Sequence, residues 1–194
     1  MAKKILKQEV IEIQPIRTRK FLMTIKGISP LICHRRSPEL IRPNPGHEFD
    51  EDEDFRNSLY AKTGSDGNYG FPACGLKKCA VLAAGTFLKS IKRTAAQGSF
   101  FIPIEFVELK SKEGPVKRLD VVTVQRNAIV RARAMFEDWE IIFPIEFSLV
   151  GKMTPEQLIN LFNVAGNCIG IGDWRPQKAG IFGRFTVTGI QEVR

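Results

Sequence analysis

Three observations predict an α+β fold for this chain of 194 residues. An early segment alternates, with Phe21, Met23 and Ile25 on one face and Lys20, Thr24 and Lys26 mainly on the other. Two later segments place apolar residues at helical spacing, Leu76, Ala80, Phe87 and Ile91 in one and Leu158, Leu161, Phe162 and Ala165 in the other. Strand-like runs lie between them and after them. The order is strand, long loop, helix, strand, strand, strand, helix, strand. Its core pattern is βαββαβ, a ferredoxin-like or RRM-like arrangement with long insertions, in a single domain spanning 1–194.

Residues 1–18 read as an extended arm or edge strand, with Val10, Ile11, Ile13 and Ile16 apolar but without a clean period. The first strand follows, interrupted on its polar face by Leu22 and broken by Pro30. Residues 37–71 hold Pro38, Pro43, Pro45, an acidic run and Gly64-Ser65-Asp66-Gly67-Asn68, the composition of an inserted loop with one short helix around 53–61. A helix starts near Pro72 and is weakened by Gly75 and Gly85. Phe101 to Leu109 and Leu119 to Val124 read as strands, with Lys112-Glu113-Gly114-Pro115 as the turn between them. Residues 125–138 form a basic insertion between the central strands, carrying Arg126, Arg131 and Arg133. Trp139 to Val150 is a long strand broken or bulged at Pro144. Thr154-Pro155-Glu156-Gln157 opens the second helix with a capping box and a proline at its first position, and Gly166 ends it. Arg184 to Ile190 is the last strand.

A hydrophobic content of 43% is enough for a packed core. No apolar run reaches the roughly 18–20 residues of a membrane span, so no membrane partner is expected. The basic N-terminus lacks the long apolar stretch of a secretory signal, which points to the cytoplasm. Cys33, Cys74, Cys79 and Cys168 do not repeat a zinc-ribbon spacing and read as core or free thiols; no metal and no cofactor is expected. The acidic run Glu48, Asp50–Asp54 lacks the glycine and final Glu of a calcium loop and reads as a flexible segment, able to compete for the protein's own basic groove. The net charge is +8, and without those six acids 15 acidic residues face 29 Lys and Arg. That excess favours a polyanionic partner.

The densest cluster of chemistry is the run from Gly170 to Phe185. Gly172, Gly180 and their neighbours can bring backbone N–H groups close to an anion. Arg175, Lys178 and Arg184 supply charge for phosphates, while Trp174 serves equally well as a packing anchor or a base-stacking platform. Lys77 and Lys78, at the start of the first helix, add to the candidate contacts. Arg126, Arg131 and Arg133 belong either to a charged hairpin or to a thumb lying along a nucleic-acid strand. His34, between the first strand and Arg35-Arg36, is a surface histidine or a candidate general acid or base; His47 is the other histidine.

Three segments resemble the RAMP superfamily, the RNA-binding proteins of CRISPR effector complexes. Phe21 to Leu31, ending in Pro30-Leu31, is similar to the opening strand of the subunits that coat the guide RNA. Tyr69-Gly70-Phe71-Pro72-Ala73-Cys74-Gly75-Leu76-Lys77-Lys78 looks like the family's Pro-x-small-x-Leu-Lys start of the first helix. The glycine-rich run, with Arg175 and Gly183-Arg184-Phe185, resembles the family's loop and closing strand. The Trp174-Arg175-Pro176 stretch is stiffer than the usual loop, and with Lys178 and Gly180 it also looks like small phage-encoded proteins, which would place the chain in a host cytoplasm.

The resemblance implies a RAMP-like, non-catalytic protein that binds single-stranded RNA or DNA along its phosphate backbone, with self-association along the strand as a further expectation. Two other functions remain open at this point. One is a metal-independent endoribonuclease using His34; the other is a viral interaction protein that mimics or blocks a host CRISPR subunit.

Overall fold

The structure, a computed structural model, describes residues 15–35, 49–60, 62–63, 68–124, 126–150 and 153–193. The expected N-terminal arm up to residue 14, residue 36, and residues 37–48, 61 and 64–67 of the insertion, and with them Glu48 and His47, lie outside the described residues. The chain is a mixed α+β fold with antiparallel sheets. Strand β1 (Thr18–Gly27) buries Phe21, Met23 and Ile25, as its alternation predicts. Strand β2 (Leu31–Cys33) follows across the turn at Pro30.

Helix α1 (Glu51–Ser58) begins two residues before its expected start because Asp50 caps it, its side chain accepting from the Asp52 and Glu53 amides. The acidic residues are therefore the cap and first turn of a helix, where they complement its dipole, rather than a flexible run. Short strands β3 (Lys62–Thr63) and β4 (Asn68–Pro72) close the inserted segment. Helix α2 (Ala73–Ala83) buries Leu76, Cys79, Ala80 and Ala83. It ends earlier than the apolar stripe predicts. Ala84 turns extended before the poor helix formers Gly85 and Thr86, and the Arg93 guanidinium caps the Ala84 carbonyl at 3.2 Å. Ile91 is still buried, but from the loop before helix α3 (Arg93–Ser99).

The expected strand at 101–109 is two pieces, β5 (Phe100–Phe101) and β6 (Phe106–Lys110), parted around Pro103. Strand β7 (Val116–Val124) is longer than predicted and pairs with β8 (Asn127–Phe136), which the basic insertion forms. Strand β9 (Glu140–Ser148) carries Pro144 without a bulge. Its register with β1 runs unbroken through Leu22↔Pro144, and the proline lies between the stretches paired with β6 and with β5, where an N–H is dispensable. Helix α4 (Pro155–Cys168) has the predicted capping box but runs two residues past Gly166. Gly166 serves contact rather than termination: a Cβ there would lie on the carbonyl oxygen of Phe185, the first residue of β10 (Phe185–Val193).

The larger sheet has the order β10-β1-β9-β6-β4-β3, with β5 on β9; the smaller has the order β2-β8-β7. Helices α2 and α4 pack on each other, and the core between them and the larger sheet is filled by Phe143, Phe147, Phe100 and Phe162. Helix α1 covers β8 from the end of its pairing with β2 onward. Asp54 accepts the Ala132 amide at 2.7 Å and Ser58 the Ala134 amide at 2.8 Å. Polar residues one helical turn apart thus satisfy alternate N–H groups of one strand edge. Among the described residues no helix is long and apolar enough to cross a membrane.

Candidate nucleic-acid interface

The glycine-rich loop, residues 170–184, is held by its own backbone. Ile171 donates to the Gly183 carbonyl, Gly183 to Pro30, Asp173 to Ile32, Gly180 to Arg175 and Phe182 to Trp174, all between 2.7 and 3.1 Å. The expected set of glycine amides aimed at an anion is therefore reduced: the Gly180 N–H is spent on the loop itself, whereas Gly172 lines an open cleft. Gly183 sits at φ +65°, and a Cβ on it would fall on the Ile171 carbonyl. We expect Gly183→Ala to cost at least about 2 kcal/mol, from the left-handed backbone and the displaced Ile171 strap. Urea unfolding that leaves the midpoint unchanged would contradict this.

Under the loop lies a buried charge network. Arg133, 1% exposed, donates to Asp120 at 2.5 Å and to Asp173 at 3.1 Å, and its guanidinium stacks 4.5 Å from the Trp174 ring centroid. Arg118 bridges both Asp120 oxygens at 3.0 Å and lies over Trp174 and Phe182. Trp174 is thus packed on the arginines of the β7–β8 hairpin. Arg131 is paired with Asp54 at 3.2 Å, and Lys117 with Asp52 and Glu51. The acidic residues of α1 dock on the hairpin, away from the cleft. Of the three arginines singled out in the insertion, only Arg126, at the hairpin turn with φ +72°, is exposed.

The cleft, of about 180 Å³, lies between the loop, the start of α2 and the end of β2. His34, Tyr60, Lys78, Asp173 and Arg175 line it, over a floor that includes Gly172. Arg175 is aimed by its bonds to the Gly172 carbonyl at 2.8 Å and to Gln177 at 3.0 Å. Lys78 is exposed and makes no ion pair among the described residues. His34 Nδ1 lies 3.0 Å from Asp173 Oδ2. Burial alone would raise the Asp173 carboxyl, but the hydrogen bonds and charges of His34 and Arg133 hold it below its usual range. Desolvation pushes the Tyr60 phenol and the Cys79 thiol each up to about 12, so both keep their protons at neutral pH.

Lys77 does not join this cleft. It projects to the other side of the α2 start, its Nζ 4.2 Å from the Phe101 ring centroid. Arg184 bonds the Asn167 side chain, and Lys178 is exposed at the end of the short 3-10 turn Pro176–Lys178. The sequence-derived residues therefore divide into those of the cleft (His34, Lys78, Gly172, Arg175), those flanking it (Lys178, Gly180, Arg184), those away from it (Lys77, Arg126) and those held in ion pairs (Arg131, Arg133), while Trp174 packs on the hairpin arginines and stays 36% exposed. Tyr60 and Asp173 complete the cleft without having been singled out. Asp173 sits in the glycine-rich run, but nothing in the sequence joins Tyr60 to it. Among the described residues no three His, Cys, Asp or Glu side chains gather as metal ligands would.

The lowered Asp173 pKa has a consequence for stability. A depressed carboxyl stabilises the fold at pH values above its unfolded pKa of about 3.9, and the contribution is lost as pH falls through the lower folded value. We expect Asp173→Asn to flatten the acid limb of the stability profile below about pH 4, read from urea midpoints against pH. An acid limb identical to the wild type would show that the carboxylate is not coupled to folding.

Comparison with protein-family models and with curated proteins gives no match.

Proposed function

We propose that the chain binds single-stranded nucleic acid in this cleft, with Lys78 and Arg175 neutralising phosphates and the loop rim following the backbone. The observation that carries the reading is the convergence of Lys78 and Arg175, which make no ion pair among the described residues and come from segments far apart in sequence, on one cleft that also holds the Gly172 backbone. The Asp173 charge does not offset them, because Arg133 already balances it. The three segments that resemble RAMP proteins also meet here: Gly183 N–H bonds the Pro30 carbonyl, and the Pro72–Lys78 segment forms the opposite wall. The sequence β1, α2, β6, β9, α4, β10, with strand order β10-β1-β9-β6, supports reading these elements as a ferredoxin-like core. On that reading the β7–β8 hairpin and the 37–71 segment are its insertions. A single strand carrying 4-thiouridine, photocrosslinked to the protein, is expected to mark peptides from 73–78 and 170–184; crosslinks confined to other peptides would overturn the assignment.

One observation favours a second reading, metal-independent RNA cleavage. Asp173 orients His34 through Nδ1, leaving Nε2 as the nitrogen able to exchange a proton with a 2′-hydroxyl, and Tyr60 and Lys78 share the cleft. RNA cleaved in the presence of a chelator by the wild type, and left intact by His34→Ala at unchanged affinity, would establish it. RNA intact after long incubation with the wild type leaves binding alone.

A further inference from the structure

A second cavity adjoins the cleft. It is a groove of about 290 Å³ on the other side of the α2 start, lined by Pro72, Cys74, Lys77, Ile102, Ile104 and Phe106. The two cavities share a wall. Pro72 lines both, and Tyr60 of the cleft has its ring 6.3 Å from that of Phe106 in the groove. The first turn of α2 divides its side chains accordingly, with Gly75 and Lys78 on the cleft side and Cys74 and Lys77 on the groove side.

Their chemistry differs. The cleft presents Lys78 and Arg175, which make no ion pair among the described residues, together with backbone, as a phosphate requires. The groove is mainly apolar, and its lining carries one ammonium, Lys77, together with one exposed carboxylate, Glu105. A phosphate meets a carboxylate there as well as an ammonium, whereas a flat, neutral, aromatic group finds apolar surface. Phe101 and Ile104 are 48% and 39% exposed beside the groove, leaving apolar surface for such a group to cover. Lys77 Nζ already lies over the Phe101 ring at 4.2 Å. A second π-face against the same ammonium would complete a cation–π sandwich. Glu105 is placed to accept from an exocyclic amino group at the rim.

We infer that the groove lined by Pro72, Lys77, Ile104 and Phe106 is a nucleobase subsite for the nucleotide next to the one whose phosphate occupies the cleft. This rests on the binding reading above and goes beyond it, because it assigns a base pocket as well as a backbone track. A strand crossing the α2 start at Pro72 places phosphate and base on opposite sides of it.

The test uses the full chain, a fluorescein-labelled single strand, and the same strand with abasic sugars throughout. Base stacking on such platforms changes affinity by about tenfold or more per base. The wild type is expected to bind the strand with bases at least about tenfold tighter than the abasic one. Phe101→Ala and Ile104→Ser, both at exposed positions, are expected to remove about tenfold from the first affinity and nothing from the second. Cys74 gives an independent readout, since it lines the groove and is exposed while Cys33 and Cys79 are buried. Alkylation of Cys74 by N-ethylmaleimide, followed by mass spectrometry, is expected to slow when the strand with bases is bound and not when the abasic strand is bound. If the strand binds and Lys78→Ala weakens it, but the Phe101 and Ile104 variants and Cys74 alkylation are unaffected, the subsite is wrong and the cleft stands. If neither strand binds, the binding reading fails and the subsite with it.

Discussion

Arg133→Ala is expected to destabilise the fold by about 3 kcal/mol, the low end of what removing one partner from a buried ion network costs. The side chain is fully enclosed and shared between Asp120 and Asp173, so its loss leaves the buried Asp120 carboxylate without its closest partner and Asp173 without one of its two. Arg118 remains on Asp120 and His34 on Asp173, which holds the loss to that lower end. Trp174 loses the guanidinium on which its ring rests, so the loop loosens together with the hairpin. Arg133→Lys is not a rescue, because an ammonium cannot serve two carboxylates and an aromatic face in the same planar geometry. The paired change Arg133→Leu with Asp120→Leu is expected to recover much of the loss, since buried ion pairs replaced by apolar side chains are often close to neutral. Urea unfolding with unchanged m-value checks both variants. A cost within about 0.5 kcal/mol for Arg133→Ala, the size of an ordinary surface change, would show that the network does not hold the loop.

The largest functional effect is expected from Lys78→Ala with Arg175→Ala. Each hydrogen-bonded charge contact with a phosphate is worth about 1.5 kcal/mol or more, so each replacement weakens binding by about tenfold and the pair by about a hundredfold. The dependence of log affinity on log salt should become shallower by about 1 for each cation removed. Arg131→Ala provides the contrast. Its guanidinium is committed to Asp54, so it should change stability through α1 docking and leave affinity and salt slope close to those of the wild type. Equal losses of affinity in all three variants would mean that binding follows overall charge rather than this cleft.

The parts of the fold that were legible in the sequence are those where local pattern and tertiary environment agree. β1 alternates because one face meets the core, and α4 begins where Thr154 and Gln157 form their reciprocal cap. β8 is obscured in the sequence because a charged side chain shares its buried positions with apolar ones: Ala132, Arg133 and Ala134 are all buried. Ala128, Val130 and Ala132 alternate with Ile129, Arg131 and Arg133, a strand period, yet the arginines turn toward Asp54, Asp120 and Asp173 while Val121 and Val130 stay exposed. The period is present, but at Arg133 charge pairing takes the place of apolar burial as the reason for facing inward. The helical stripe continues past the end of α2 for a related reason: Ile91 keeps the helical phase and is buried, though it reaches the core from a loop.

The site was half legible. The glycine-rich run and the Lys77-Lys78 pair marked its two walls, but which lysine faces the cleft depends on the rotation of α2 against the loop. That Trp174 is an anchor follows from the hairpin arginines beneath it, a contact between distant segments that no local spacing encodes. The same holds for the approach of His34, Tyr60 and Asp173, which come from three separate connections.

The most direct measurement is fluorescence anisotropy of labelled single-stranded RNA, single-stranded DNA and duplex against the wild type over a salt series. Binding of a single strand in preference to duplex, weakening steeply as salt rises, is the expected result. No binding of either single strand at low salt would contradict the central claim.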